Sequence, residues 1–141
     1  MNHTEHDEQA EFFRMLQMLD CDAAVLTFAV PNGARMVSAR HAKRMVEEGM
    51  RKGVPDIICA MRNDRQQYTG LAIEMKAGRN KSTPDQERWQ KRLMAAGWKV
   101  DVCYSARDAF LVWESYVELD ERSRDLIRRN FFYDNNVVGG A

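Results

Sequence analysis

Proline and cysteine are scarce here, three of each in 141 residues, and glycine occurs only eight times. So few breakers exclude a collagen-like or low-complexity chain, and the 45% hydrophobic content excludes a wholly disordered one. Cys21, Cys59 and Cys103 are odd in number, and two of them lie inside apolar strand-like runs. That excludes a disulfide scaffold and points to a reducing, cytoplasmic setting. His3 and His6 with Cys21 match no zinc spacing, and a frayed terminus is expected there. No apolar run is as long as a membrane span, and the acidic, polar start is unlike a secretory signal, so no membrane partner is expected. A charge surplus is missing too: 21 Lys and Arg balance 21 Asp and Glu. An anionic partner must therefore be met by a local patch.

Such patches are present. Residues 35–53 carry Arg35, Arg40, Lys43, Arg44, Arg51 and Lys52 against Glu47 and Glu48. Residues 76–99 carry Lys76, Arg79, Lys81, Arg88, Lys91, Arg92 and Lys99 against Asp85 and Glu87. Either block alone is an ordinary solvated helix face. Two of them flanking one candidate site read as phosphate contacts.

The length sets a single domain as the expectation, with enough chain to bury roughly two-thirds of its unfolded surface. Helical spacing of Phe12, Leu16 and Leu19 predicts a helix over 5–19, capped by Thr4. Val25–Val30 reads as a strand stopped by Pro31-Asn32-Gly33. Ser38 opens a helix to about Lys52, with Ala42, Met45, Val46 and Met50 inward and Gly53 as terminator. Asp56–Met61 and Gly70–Lys76 read as a strand hairpin. The second strand sets Leu71, Ile73 and Met75 on one face and Ala72, Glu74 and Lys76 on the other.

Thr83, Pro84 and Gln86 form a capping-box helix start, with Trp89, Leu93 and Ala96 inward and Gly97 as the stop. Lys99–Tyr104 is a strand. Ser105 caps a helix carrying Phe110, Trp113 and Val117 on one face, and Arg122–Asn130 reads as a short basic helix before a frayed Asn135–Ala141. The order predicts an α/β domain with a mixed central β-sheet flanked by helices.

Pairing of the two hairpin strands brings Asp56 beside Glu74, and Lys76 shares a face with Glu74. Two converging carboxylates repel unless a cation joins them. A hard divalent ion, Mg²⁺ or Mn²⁺, suits oxygen donors, activates bound water and offsets phosphoryl charge. The lysine is placed to orient an attacking water or to stabilise charge developing on a phosphate. An isolated Glu-x-Lys means nothing. A Pro-Asp strand, a strand ending in Glu-x-Lys, a basic loop and a capped helix, in that order, are far more specific.

Pro55-Asp56 with Glu74-Met75-Lys76 resembles the PD-(D/E)xK nuclease signature. The chain is similar to the VRR-NUC (virus-type replication-repair nuclease) branch of that superfamily, in its short stand-alone phage and bacterial form. The matching segments are Pro31–Gly33, Gly53–Ile57, Gly70–Gly78, Ser82–Gln86 and Gly97–Val102, and the resemblance spans about residues 5–113. It implies a restriction-endonuclease-like core over 1–119, with 120–141 as an extension, and divalent-metal-dependent hydrolysis of DNA phosphodiesters. It implies Asp56, Glu74 and the Met75 carbonyl as metal ligands and Lys76 as the catalytic, base-like residue. A glutamate on the first helix joins them, Glu5 by its spacing to Gln9, with Glu8 as the alternative. Gln86 either reaches the site or a phosphate, or serves only as the capping partner of Thr83.

The function expected is cleavage of DNA, branched substrates such as four-way (Holliday) junctions in particular, by a homodimer whose two sites match the junction's two-fold symmetry. Phe131, Phe132 and Tyr133 either anchor that dimer or fold back on their own core. The competing reading is a catalytically inactive nuclease fold that only binds DNA. The complete Asp56, Glu74, Lys76 set speaks against it.

Overall fold

The computed structural model describes residues 3–31 and 38–133. Its first helix, α1 (His3–Gln17), is followed by a short α2 (Asp22–Val25) and strand β1 (Thr27–Ala29). Then come α3 (Ala39–Glu47), β2 (Ile57–Cys59), β3 (Leu71–Met75), α4 (Pro84–Ala95), β4 (Lys99–Cys103), α5 (Ala106–Tyr116) and α6 (Glu121–Ile127). A π-helical turn, Arg128–Phe132, follows directly on α6.

The four strands lie in chain order, β1-β2-β3-β4. β1/β2 and β2/β3 are antiparallel and β3/β4 is parallel, the crossover being α4. The sheet is therefore mixed, as the strand and helix order predicted. Leu71, Ile73 and Met75 project into the main core with Ile57, Phe12 and Leu16 of α1, and Phe110 and Trp113 of α5. Each large apolar side chain withdrawn here contributes about 1.5–3 kcal/mol. Ala72 and Glu74 are buried too, so β3 is covered on both faces. α4 closes the second face above β3 and β4, and nothing larger than hydrogen fits at Gly70, where a Cβ would stand 2.5 Å from the Trp98 ring.

Several boundaries differ from the sequence reading for identifiable reasons. α1 starts at His3, so the stretch expected to fray is helical from there, with Thr4 inside the helix rather than capping it. The strand expected over Val25–Val30 begins only at Thr27. The chain before it turns as α2, and the Thr27 hydroxyl donates to the Ala23 carbonyl at 2.8 Å. The same hydroxyl accepts from the Trp113 indole at 2.9 Å, which ties β1 to α5.

The helix opened by Ser38 stops at Glu47, not Lys52. Gly49, at φ +108, makes the left-handed stop: its N–H donates to the Val46 carbonyl and the Met50 N–H to that of Met45. The inward face expected for α3 is not buried: Val46 is 52% exposed, and Ala42, Met45 and Met50 are half-buried. On α4, Trp89 and Leu93 are half-buried, but Ala96 is exposed. The β2 run is limited to Ile57–Cys59.

Phe131 and Phe132 fold back on the core. The Phe132 ring meets Phe110 edge-on at 5.8 Å, and Arg107 stacks over it at 5.0 Å. Only Tyr133 of that trio is exposed. Within the 120–141 stretch, α6 buries Ile127, and Arg124 and Arg128 reach the buried Glu114 at 4.0 and 3.6 Å. Asn32, Gly33, Arg35 and the Asn135–Ala141 stretch lie outside the described residues.

Candidate active site

The β2/β3 register pairs Ile57 with Ile73. Carried one residue further in an antiparallel pair, it sets Asp56 opposite Glu74. Asp56 is fixed by its surroundings: Pro55 before it is buried, its carbonyl accepts from Val30, and its Oδ2 accepts from the Met75 N–H at 2.8 Å. The Met75 main chain thus lies against the Asp56 carboxyl. Lys76 continues the strand, its N–H donating to the Cys103 carbonyl at 2.9 Å, and its ammonium stands 3.8 Å from Glu74 Oε1. Asp56, Glu74 and Lys76 are 3%, 2% and 8% exposed, so three ionisable groups share one buried spot.

Gln86 resolves the choice left open for it by doing both things. Its Oε1 accepts from the Thr83 N–H at 2.8 Å, closing the capping box, and its Nε2 donates to Glu74 Oε1 at 2.8 Å. The start of α4 is thereby locked onto a carboxylate of the site. Glu5 is buried on α1 and close enough for its charge to act on both Asp56 and Glu74. Glu8 is directed elsewhere: its Oε2 accepts from the Ala106 N–H at 2.6 Å and caps α5. The structure brings Asp56, Glu74, Lys76 and Gln86 together, sets Glu5 near enough to act on them by its charge, and gives Glu8 to the helix end.

Burial, and then the Asp56 charge, push Glu74 up to about 8. Asp56 is raised as well, chiefly by burial, with the Met75 N–H pulling the other way. Glu74 Oε2 is buried without a hydrogen-bond partner. Without a proton between the two carboxyls, that oxygen needs a cation. The donors are all oxygens, a set that suits a hard divalent cation. Among the described residues no three His, Cys, Asp or Glu side chains are grouped to hold an ion by themselves. A bound ion would draw on the two carboxylates, the Met75 carbonyl and solvent.

Two supporting residues escaped sequence reasoning. Gly53, expected to end α3, sits at φ +91 with a Cβ position 2.8 Å from the Asp85 main chain. Only glycine allows the segment leading to Asp56 to lie this close to α4. Asp85 also pairs with Lys52 at 3.4 Å. A glycine three residues before the site aspartate was the available signal.

The profile of the VRR-NUC domain matches residues 31–107. A solved structure, a VRR_NUC domain protein, superposes with a TM-score of 0.68 at 22% identity, over 84% of this chain and 92% of that one, and shows the same fold. Comparison with curated proteins finds no match. Among the described residues no helix is long and apolar enough to cross a membrane. With more than half of its residues matched by that profile, the chain belongs to the VRR-NUC domain family, and its function is of the nuclease type.

Proposed function

We propose that this chain is a divalent-metal-dependent DNA endonuclease. The observation that carries the reading is the buried Asp56–Glu74 pair, with its unpartnered oxygen, beside the buried Lys76 ammonium. Asp56 and Glu74, with the Met75 carbonyl as a further oxygen and Glu5 acting by its charge or through a bound water, are the residues that would hold Mg²⁺ or Mn²⁺. The ion supplies activation of bound water and neutralisation of phosphoryl charge. Asp56 is held for that task by the Met75 N–H, and Glu74 by the Gln86 amide. Lys76 offers its ammonium to an attacking water or to the charge developing on the scissile phosphate.

The substrate we propose is branched DNA, four-way junctions first, cut by a homodimer. One chain carries one such site, and resolving a junction needs two incisions related by a two-fold axis, which a C2 dimer supplies. Since Phe131 and Phe132 pack inward, Tyr133 is what the aromatic trio leaves for an interface.

The test is cleavage of junction and linear duplex in competition, with sedimentation across a dilution series. Preferred cutting of the junction by a dimer is expected, and Asp56→Asn, Glu74→Gln and Lys76→Ala should each lose most cleavage while folding normally. Wild-type rates in any one of the three variants would refute the site assignment. Equal cutting of both substrates by a monomer would remove the junction reading and leave the nuclease.

A further inference from the structure

We infer that the cationic face of α3, continued by the Arg79–Lys81 loop and the outer face of α4, grips a duplex arm of the DNA by its phosphates, outside the cleavage site. The inference rests on the nuclease reading above and adds to it the surface that holds the substrate.

The first ground is how charge is paired. Several cations are neutralised within the fold: Arg14 by Glu11, Arg62 by Asp64, Arg65 by Glu118, and Arg124 and Arg128 by Glu114, whereas Arg107, Arg122 and Arg129 make no ion pair among the described residues. Arg40, Arg44, Arg79, Lys81, Lys91 and Arg92 are exposed, and none makes an ion pair among the described residues. Zero net charge thus conceals a local surplus: six unpaired cations lie on α3, the 79–81 loop and α4, beside the paired Lys43, Lys52 and Arg88.

The second ground is that α3 has no place in the core. None of its residues is buried, yet it is built with care, capped by the Ser38 hydroxyl on the His41 N–H at 3.1 Å and stopped at Gly49. Arg40, Lys43 and Arg44 share one face, the apolar Ala42 and Met45 the other. Of the three cations only Lys43 makes an ion pair among the described residues, with Glu47 at 4.0 Å. An i, i+4 pair of arginines rises about 6 Å along the helix. A duplex presents one phosphate charge per roughly 1.7 Å of its axis, so such a face meets several at once.

The third ground is the connection to the site. Between α3 and Asp56 the chain is pinned to α4 by the Lys52–Asp85 pair at 3.4 Å and by the Gly53 packing on Asp85. The segment leaving α3 is therefore tied to α4, whose Gln86 holds Glu74.

The test compares Arg40→Gln/Arg44→Gln with wild type and with Arg62→Gln/Arg65→Gln, whose arginines are already paired. Binding of a fluorescently labelled duplex in EDTA is followed by anisotropy at several salt concentrations, and steady-state cleavage of the same DNA is measured with Mg²⁺. Two lost phosphate contacts should lower the slope of log affinity against log salt by about 1.8. Affinity at physiological salt should fall roughly tenfold or more. KM should rise with kcat unchanged, and the Arg62/Arg65 control should behave as wild type. If the α3 double variant keeps the wild-type slope and affinity while the protein still cuts DNA, the inference is overturned and the nuclease reading stands. Loss of kcat at unchanged affinity also overturns it. If wild type neither binds nor cuts DNA, both fail.

Discussion

Glu74→Gln should make the metal-free protein more stable, and only in a defined pH range. Burial and the neighbouring Asp56 lift the Glu74 carboxyl from 4.5 to about 8 in the folded chain. Between those two values the folded state keeps a proton that the unfolded state has lost. Stability in the absence of metal therefore falls as pH rises from about 4.5 to about 8, and is level above that. Each pH unit inside the window is worth about 1.4 kcal/mol, so over the three units up to pH 7.5 the buried acid costs on the order of 4 kcal/mol. The raised Asp56 adds to the cost in the same sense. Glutamine keeps the shape, carries no charge and offers an N–H to Asp56. In EDTA near pH 7.5 the variant should melt roughly 8–16 °C above wild type, with the gap closing toward pH 4.5. Mg²⁺ or Mn²⁺ should raise the wild-type melting temperature and leave that of the variant unchanged. Differential scanning fluorimetry over this pH range reads all of it. A variant melting at or below wild type near pH 7.5, or a gap that does not vary with pH, would show that the acid pair is not under strain.

Four further variants test particular contacts. Gly53→Ala should lose about 1–2 kcal/mol to the left-handed backbone alone, and more to its collision with Asp85, so denaturant melts and cleavage should both suffer. Glu5→Gln should lower cleavage with little change in melting, whereas Glu8→Ala should cost about 1–2 kcal/mol of stability through the α5 start and spare the chemistry of the folded fraction. Ile127→Ala, at a fully buried position of α6, should cost about 2–5 kcal/mol in a denaturant melt.

What the sequence disclosed was what short-range chemistry controls. The Thr83-Pro84-Gln86 box, the Ser38 and Ser105 caps and the helical spacing of Phe12 and Leu16 located their helices, and the alternation in 71–75 located β3. The hairpin that faces Asp56 with Glu74 followed from the same alternation. Hidden were features decided by long-range packing. Thr27 becomes the start of β1 because Ala23 and Trp113 claim its hydroxyl, a contact across 86 positions. α3 carries helical apolar spacing, but its packing buries none of its residues, so that face stays largely exposed. Phe131 and Phe132 found a groove beside Phe110 that nothing local announces. In the site, Gln86 looked like a cap or a ligand contact because a sequence does not show that one amide can serve two partners from opposite ends.

Hydrolysis should run through a cation at the acid pair. The most direct measurement is the initial rate of DNA nicking by wild type and by Asp56→Asn, side by side, in EDTA and after addition of Mg²⁺, Mn²⁺ or Ca²⁺. Wild type should be silent in EDTA, active with Mg²⁺ or Mn²⁺ and inactive with the larger, geometrically less demanding Ca²⁺, and the variant should be silent throughout. Undiminished cleavage in EDTA, or a variant as fast as wild type, would contradict it.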